Sequence, residues 1–457
     1  MSIKLRLTMM NFLQFFVWGA WLITIANYWF GTKQWDGTQF GAIFSTMGIA
    51  SLFMPTLMGI IADRWVNAEK LYVGLHFLYA ICMIYLAQVQ DPGSFFTVIL
   101  LAMCCYMPTL ALSNSIAYSA LTQGNYDLIK AFPPIRVWGT VGFIAAMWIT
   151  NLSGSKATEG QFYIAAAGSI LLGIYSIFNL PKCPPQHHTK ENASLAQLLG
   201  LEAFKLFANY KMALFFIFSM FLGAALQLTN AYGDVFLDEF KFFPKYADSI
   251  VVKYSTIIMS ISQISETLFI LAIPFFLKRF GIKQVMLIAM VAWVLRFGLF
   301  AYGDPSSGLW MIILSCIVYG MAFDFFNISG SLFVETTTNN QIRSSAQGLF
   351  MMMTNGFGAV LGSRVSGWVI DKYYTLSFTD SSSLASFLDT SSDNSSLLNF
   401  IASRGVQVSN GLFDQAIHLK DWRHIWIAFA IYTLIIAVLF AILFRHKHET
   451  TTKVEHP

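Results

Sequence analysis

The sequence predicts an all-α membrane protein with twelve transmembrane helices in two six-helix halves that repeat one another. Three observations predict it. The chain of 457 residues is 56% hydrophobic and only 11% charged, whereas an ordinary soluble domain carries roughly 25% charged residues, so a soluble fold of this composition could not cover its surface. The apolar residues fall in runs of about 20, the length needed to cross a bilayer as helix. A polar connection from Pro181 to Asn209 divides those runs six and six.

The first run, Met9 to Phe30, is longer than a signal-peptide core and lacks a small-residue cleavage site, so it reads as a retained span. The next five runs lie at about 40–62, 70–88, 94–119, 134–152 and 162–180. Pro133 and Pro134 are expected to begin the fifth helix, where a missing N–H does no harm. The central connection opens with prolines and continues through Leu195, Leu198, Leu199, Phe204 and Phe207, a spacing suited to an amphipathic helix on the membrane surface. Six further runs follow at about 211–237, 252–277, 283–302, 308–336, 342–371 and 423–444. Between the last two lies a Ser/Asp/Asn-rich insert, about 373–422, expected to be a loop or to carry short helices.

Twelve spans put both termini on one side, and the basic residues choose which. Lys4, Arg6, Arg64, Lys70, Lys130, Lys182, Lys278, Arg279, Lys283 and Arg445 all fall on the terminal side, so the positive-inside rule makes both termini cytoplasmic and the insert external. The net charge of +4 matters less than this distribution. The halves also show traces of a repeat: Gly19-Ala20-Trp21-Leu22 with Tyr28 aligns without gaps on Gly223-Ala224-Ala225-Leu226 with Tyr232. The expected organisation is therefore residues 1–180, a linker at 181–210, and residues 211–457. Paired halves predict a solute site near the membrane midplane between them.

Polar groups inside these apolar runs mark where that site lies. Gln227 and Asn230 are one turn apart, as are Gln263 and Glu266, and Asp324 adjoins Phe323 with Tyr319 a turn away. A carboxylate at membrane depth costs roughly 2.5–3.5 kcal/mol on insertion scales, so two of them point to passage or binding of something polar. In the fifth run Arg136, Thr140 and Phe143 share a face. Each amide could instead make an interhelical hydrogen bond, and each acid could be paired with Arg136, Arg296 or Arg364. Enzymatic chemistry is disfavoured: the eight His are scattered, no His-Glu-x-x-His or phosphate-cradling glycine loop occurs, and the five Cys lack metal-ligand spacing. No catalytic residue, cofactor, metal or nucleic-acid partner is expected. A channel or receptor is disfavoured by the repeated two-half pattern with internal acids.

The loop from Gly59 through Asp63 and Arg64 to Lys70 resembles the signature loop of the major facilitator superfamily. That resemblance implies that Gly59, Asp63 and Arg64 lock the cytoplasmic ends of the halves when the protein faces outward. The strings Phe12-Leu13-Gln14-Phe15, Phe132-Pro133-Pro134-Ile135-Arg136-Val137-Trp138-Gly139-Thr140, Ile261-Ser262-Gln263-Ile264-Ser265-Glu266 and Ala322-Phe323-Asp324-Phe325-Phe326-Asn327-Ile328-Ser329-Gly330 are similar to the nucleoside:proton symporter family of that superfamily. The similarity runs through nearly all the membrane-embedded chain, although the insert is longer than the family leads one to expect. It implies a proton-coupled nucleoside importer of the bacterial inner membrane, working as a monomer among lipids. Arg136, Thr140, Phe143, Gln227, Asn230, Gln263, Glu266, Tyr319 and Phe323 would meet the substrate, with Asp324 and Glu266 as coupling acids. A proton-coupled permease for sugar or another small polar solute is the rival reading, because amides beside an aromatic ring also suit a pyranose.

Overall fold

The computed structural model describes residues 2–185, 201–338 and 343–445, with the side chains of Asp63, Ile129, Leu201, Glu202, Arg343 and Ser344 outside the described set. Several helices start at a side-chain cap. Ser2 caps α1 (Ile3–Gly19) by accepting from Leu5 N, supplying one of the orphan donors of a first turn. Beyond Gly19 the first span loosens into turns and ends as a π turn, Asn27–Thr32. Asp36 caps α2 (Gly37–Phe44), and α3 (Thr46–Arg64) continues the second span. Then follow α4 (Ala68–Leu86), α5 (Pro92–Gln123, capped by Asp91), α6 (Leu128–Leu152) and α7 (Gly160–Asn179).

The second half begins with α8 (Tyr210–Glu239), capped by Asn209, and a single turn α9 (Ile250–Lys253). The next helix, α10 (Ser255–Tyr302), has 48 residues and is broken at Gly281, whose φ of 77° no helix accommodates. It therefore supplies two spans, with the break inside the expected basic turn. After α11 (Leu309–Thr337), the eleventh span is built from α12 (Arg343–Met351), a π turn (Met352–Gly358), α13 (Ala359–Val369) and a second π turn (Ile370–Tyr374). Among the described residues nine helices are long and apolar enough to cross a membrane, α10 counted once.

The repeat has a physical counterpart in two helix crossings. A Cβ on Gly19 would strike the Phe143 backbone, and one on Gly142 would strike the Phe12 carbonyl, so α1 and α6 touch main chain to main chain. In the second half Gly223 meets the Thr354 backbone and Gly358 the Met220 carbonyl in the same manner. Small residues at such contacts are how helices associate where lipid offers no hydrophobic drive.

Two expectations are corrected. Pro133 and Pro134 do not begin their helix; α6 starts at Leu128 and holds both prolines in its second turn. A turn already formed by Ala131 N bonding to Asp127 O at 2.8 Å carries the chain into the prolines, whose fixed φ is helical. The insert is more than a loop with helices. It forms strands β1 (Thr375–Asp380), β2 (Val408–Ser409) and β3 (Leu412–Lys420) in antiparallel order β1-β3-β2, with α14 (Ser381–Phe387) and α15 (Ser395–Ser403) between β1 and β2. Phe378, Leu384, Leu388, Leu397, Ile401, Ile417 and Leu419 give it a core of its own. Asp380 caps α14 by accepting from Ser383 N at 2.8 Å, and the hydrogen bonds from Ser382 and Ser383 hold its carboxyl down at about 2. Phe242 and Phe243, just after α8, dock the insert on the body against Phe400 and Phe387 at 4.7 and 5.9 Å. The last helix, α16 (Trp422–Leu443), follows directly.

Of the expected linker helix, Leu195, Leu198 and Leu199 lie outside the described residues. Residues Leu201–Ala208 form a 3-10 turn in which Phe204 stacks on Phe207 at 6.1 Å, and Phe207 meets Phe216 of α8 at 5.4 Å.

Candidate functional site

A cavity of about 360 Å³ lies between the halves, and every one of the nine expected contact residues lines it. Arg136, Thr140 and Phe143 come from α6, Gln227 and Asn230 from α8, Gln263 and Glu266 from α10, Tyr319 and Phe323 from α11. The helical spacing explains the gathering, since residues three or four apart share the face that each helix turns inward. Sequence reasoning missed Phe15 and Trp18 of α1, Asn114 of α5, and Asn355 of the π turn, which line the same space. The i, i+3 spacing of Phe15 and Trp18 was a signal, though an aromatic pair in an apolar run ordinarily reads as packing.

Aromatic rings and polar groups both line the cavity. The Arg136 guanidinium lies over the Phe15 ring at 3.9 Å, a cation–π contact. Trp18 meets Phe143 edge-on at 6.3 Å. Tyr319 and Phe323 are parallel within 8° at 6.2 Å, offering one extended apolar face. Opposite charge gathers around Arg136, with Glu266 its first counter-charge and Asp324 a further one. Asp324 sits just behind the wall, 6% exposed, and is not itself part of the lining. Among the described residues three buried acceptors here have no hydrogen-bond partner: Gln227 Oε1, Gln263 Oε1 and Asp324 Oδ2. A buried polar group ordinarily finds a partner, so these atoms are available to a solute.

Other buried polar groups are spent on structure. Gln14 donates to Thr109 Oγ1 at 2.8 Å and accepts from Tyr72 at 2.6 Å, and His76 Nε2 lies 3.0 Å from the same Oε1. An amide oxygen only accepts, so Nε2 carries the His76 proton. Arg296, fully buried, donates to Thr229 Oγ1, Ser262 Oγ and Ser315 O at 2.8–3.2 Å. These bonds fit a structural Arg296.

Hydrogen bonds and ion pairs between the halves gather at the insert face. Lys156 pairs with Asp238 at 2.6 Å and donates to Val252 O at 2.8 Å. Asn27 donates to Asp234 at 2.5 Å, which also accepts from Thr256 at 3.1 Å. Trp148 Nε1 donates to Ser260 at 2.9 Å and Asn151 to Lys253 O at 3.1 Å. Asp371, at the end of the eleventh span, accepts from the backbone N–H groups of Gly37 and Thr38, where the α2 dipole favours an anion. At the opposite face Gly59 and Arg64 occupy the end of α3, with the Asp63 side chain outside the described residues.

Two helical halves enclosing a polar cavity, joined at one face, define a secondary transporter of the major facilitator fold. A family model described as nucleoside H+ symporter matches residues 1–449. The chain belongs to that family. It is 47% identical over 449 residues to nucleoside permease NupG of Escherichia coli, covering 98% of this chain and 97% of the relative. Xanthosine permease of the same organism is 48% identical over 457 residues, covering 100% and 99%. The crystal structure of nucleoside transporter NupG superposes with a TM-score of 0.82 at 47% identity, covering 98% of this chain and 100% of that one. A bacterial homologue of the lysosomal transporter spinster, 14% identical with a TM-score of 0.63 over 97% and 96% of the two chains, shares the fold. The chain is a multi-pass bacterial membrane transporter and not an enzyme.

Proposed function

We propose that the central cavity is the nucleoside site of a proton-coupled importer, and that it works by alternating access as a monomer in the bacterial cytoplasmic membrane. Residues 1–180 and 211–457 act as the two moving units, both termini are cytoplasmic, and the insert is periplasmic. The observation that carries this reading is the pair of amide oxygens, Gln227 Oε1 and Gln263 Oε1, without a hydrogen-bond partner among the described residues and set at one cavity with aromatic rings in its lining. A nucleoside supplies hydroxyl and amine donors for those acceptors, and its ring edge supplies acceptors for the amide N–H groups and Arg136. Its flat base suits the Tyr319–Phe323 face, with Phe143 and Trp18 across from it.

Proton coupling falls to Asp324 and Glu266, which share Arg136 as counter-charge. When either acid takes a proton, Arg136 is held less by that acid and is freer to donate to the substrate. Loss of the proton reverses this, so proton and substrate affinities are linked. The bonds at the insert face close the periplasmic side, which makes this the inward-facing state. In the outward-facing state those bonds open, and Gly59, Asp63 and Arg64 hold the cytoplasmic ends together.

The deciding experiment is competition against labelled adenosine uptake in proteoliposomes under an imposed pH gradient. Nucleosides are expected to compete while free bases and sugars do not. Competition by a sugar alone would move the assignment to a sugar permease.

A further inference from the structure

A second cavity, about 670 Å³, lies at the insert face beyond the inter-half closure. Its walls come from both halves: residues 34–36 of the connection before α2 and Gly37 at its start on one side, and Arg404, Gln415 and His418 of the insert on the other. Most of the charge around it is engaged. Lys420 pairs with Glu239 at 3.2 Å and lies 3.6 Å over the Phe30 ring. Asp371 holds the α2 amides, and Asp36 caps the same helix by accepting from Gln39 N at 2.6 Å. Arg404 differs. Its guanidinium lies beside the Phe242–Phe400 pair, 5.1 and 5.3 Å from the two rings, with Glu239 as a nearby counter-charge, and no hydrogen bond among the described residues engages its N–H donors.

The donors and acceptors around Arg404 repeat the chemistry of the central cavity. There one guanidinium (Arg136), glutamine amides (Gln227, Gln263) and an indole (Trp18) face a common space. Here Arg404, Gln34, Gln415 and Trp35 do so, with His418 fixed by Ser377 at 2.9 Å. Gln34 follows the end of the Asn27–Thr32 turn in a left-handed conformation, φ 54°, and Trp35 N bonds back to Trp29 O at 3.2 Å, so the end of that turn sets both side chains at the cavity.

We propose that this cavity is an outer nucleoside subsite, at which substrate docks on the periplasmic face before the halves part. The proposal rests on the nucleoside reading of the central cavity. The planar guanidinium and the two amides read the base edge and ribose hydroxyls, while Trp35 supplies an apolar wall. Since the two walls belong to opposite halves, a solute bound between them stabilises the arrangement in which that face is closed. A ligand shifts an equilibrium by its differential affinity for the two states, so excess external nucleoside favours the inward-facing state and slows its own uptake.

Equilibrium binding of tritiated adenosine to the purified full chain, together with uptake over a wide range of external adenosine, tests this. The expected result is two adenosines per chain and an uptake rate that falls at high concentration. Arg404→Ala is expected to leave one adenosine per chain, bound in the central cavity with affinity unchanged within about twofold, and to abolish the fall in rate. Gln415→Ala, at an exposed strand position where truncation disturbs no packing, is expected to weaken the second site several-fold and guards against a folding defect in the first variant. One adenosine per wild-type chain, or two that neither variant alters, overturns the outer subsite alone. No saturable adenosine binding overturns the nucleoside reading and the subsite with it.

Discussion

Gln14 and Gln263 are the same residue type at membrane depth, yet they serve opposite ends. Gln14 has its oxygen and its amide nitrogen taken by Thr109, Tyr72 and His76, whereas the Gln263 oxygen has no partner among the described residues and faces the cavity. Sequence alone left Gln263 open between an interhelical bond and a substrate contact, because spacing tells which face a side chain occupies but not what stands opposite. The arginines divide the same way, Arg296 held by four hydrogen bonds to its neighbours and Arg136 over Phe15 at the cavity wall. Calorimetry on purified variants separates the two classes. Gln227→Ala, Asn230→Ala and Gln263→Ala are each expected to weaken nucleoside binding by about 0.5–1.5 kcal/mol, the usual worth of one neutral hydrogen bond. Gln14→Ala strands buried partners instead and is expected to lower stability by about 1–3 kcal/mol, with the affinity of the folded protein kept. Asp324→Asn holds the side chain in a form that cannot release a proton. It is expected to abolish concentrative uptake in a pH gradient while retaining exchange of nucleoside across the membrane. Normal gradient dependence in that variant would pass the coupling role to Glu266.

Helices and turns explain how those side chains reach one space. The close crossings at Gly19, Gly142, Gly223 and Gly358 bring α1 against α6 and α8 against the eleventh span, and they set the depth at which Arg136 and Gln227 enter the cavity. The sequence showed the Gly19 and Gly223 pairing as a repeat, but the partners Phe143 and Thr354 lie far along the chain and were not legible. Gly142→Val and Gly223→Val drive a side chain into facing backbone, which cannot yield as a flexible side chain can. Each is expected to lower stability by about 1–3 kcal/mol or more, the range for overpacked sites, seen as a drop in thermal unfolding temperature in detergent. Helix starts were less legible. The Pro133-Pro134 pair looked like a beginning, and a turn formed upstream by residues of no special propensity displaced it.

Across the whole molecule, the balance between inward- and outward-facing forms rests on contacts between distant parts of the chain. Lys156 and Asp238 are joined only by folding, as are Asp371 and the start of α2. A hydrogen bond to a charged group is worth about 1.5–3 kcal/mol, and 1.4 kcal/mol is a factor of about ten in a two-state population. Lys156→Ala and Asp371→Ala are therefore expected to raise the outward-facing population by about tenfold or more, read as increased labelling of single cysteines from the insert face. Asp63→Ala is expected to shift labelling in the opposite direction, since it removes a lock proposed for the outward-facing state. An unchanged pattern in Lys156→Ala would mean that the ion pair is no part of the gate.

The sequence by itself determined the class of protein, the order of its spans, the likeness to nucleoside symporters, and nine of the residues that line the central cavity. The class and the spans follow from short-range periodicity and from the cost of polar groups in a bilayer, which every stretch of twenty residues carries on its own, whereas the likeness rests on particular strings that resemble the family. The tertiary structure decided what each buried polar group is for, because a hydrogen-bond partner a hundred residues away leaves no mark on local spacing. It also decided the insert. Its polar, serine-rich sequence carries too few apolar residues to announce a core, and they become one only when β1 and β3 pair and Phe242 and Phe243 of the distant α8 end are laid against them.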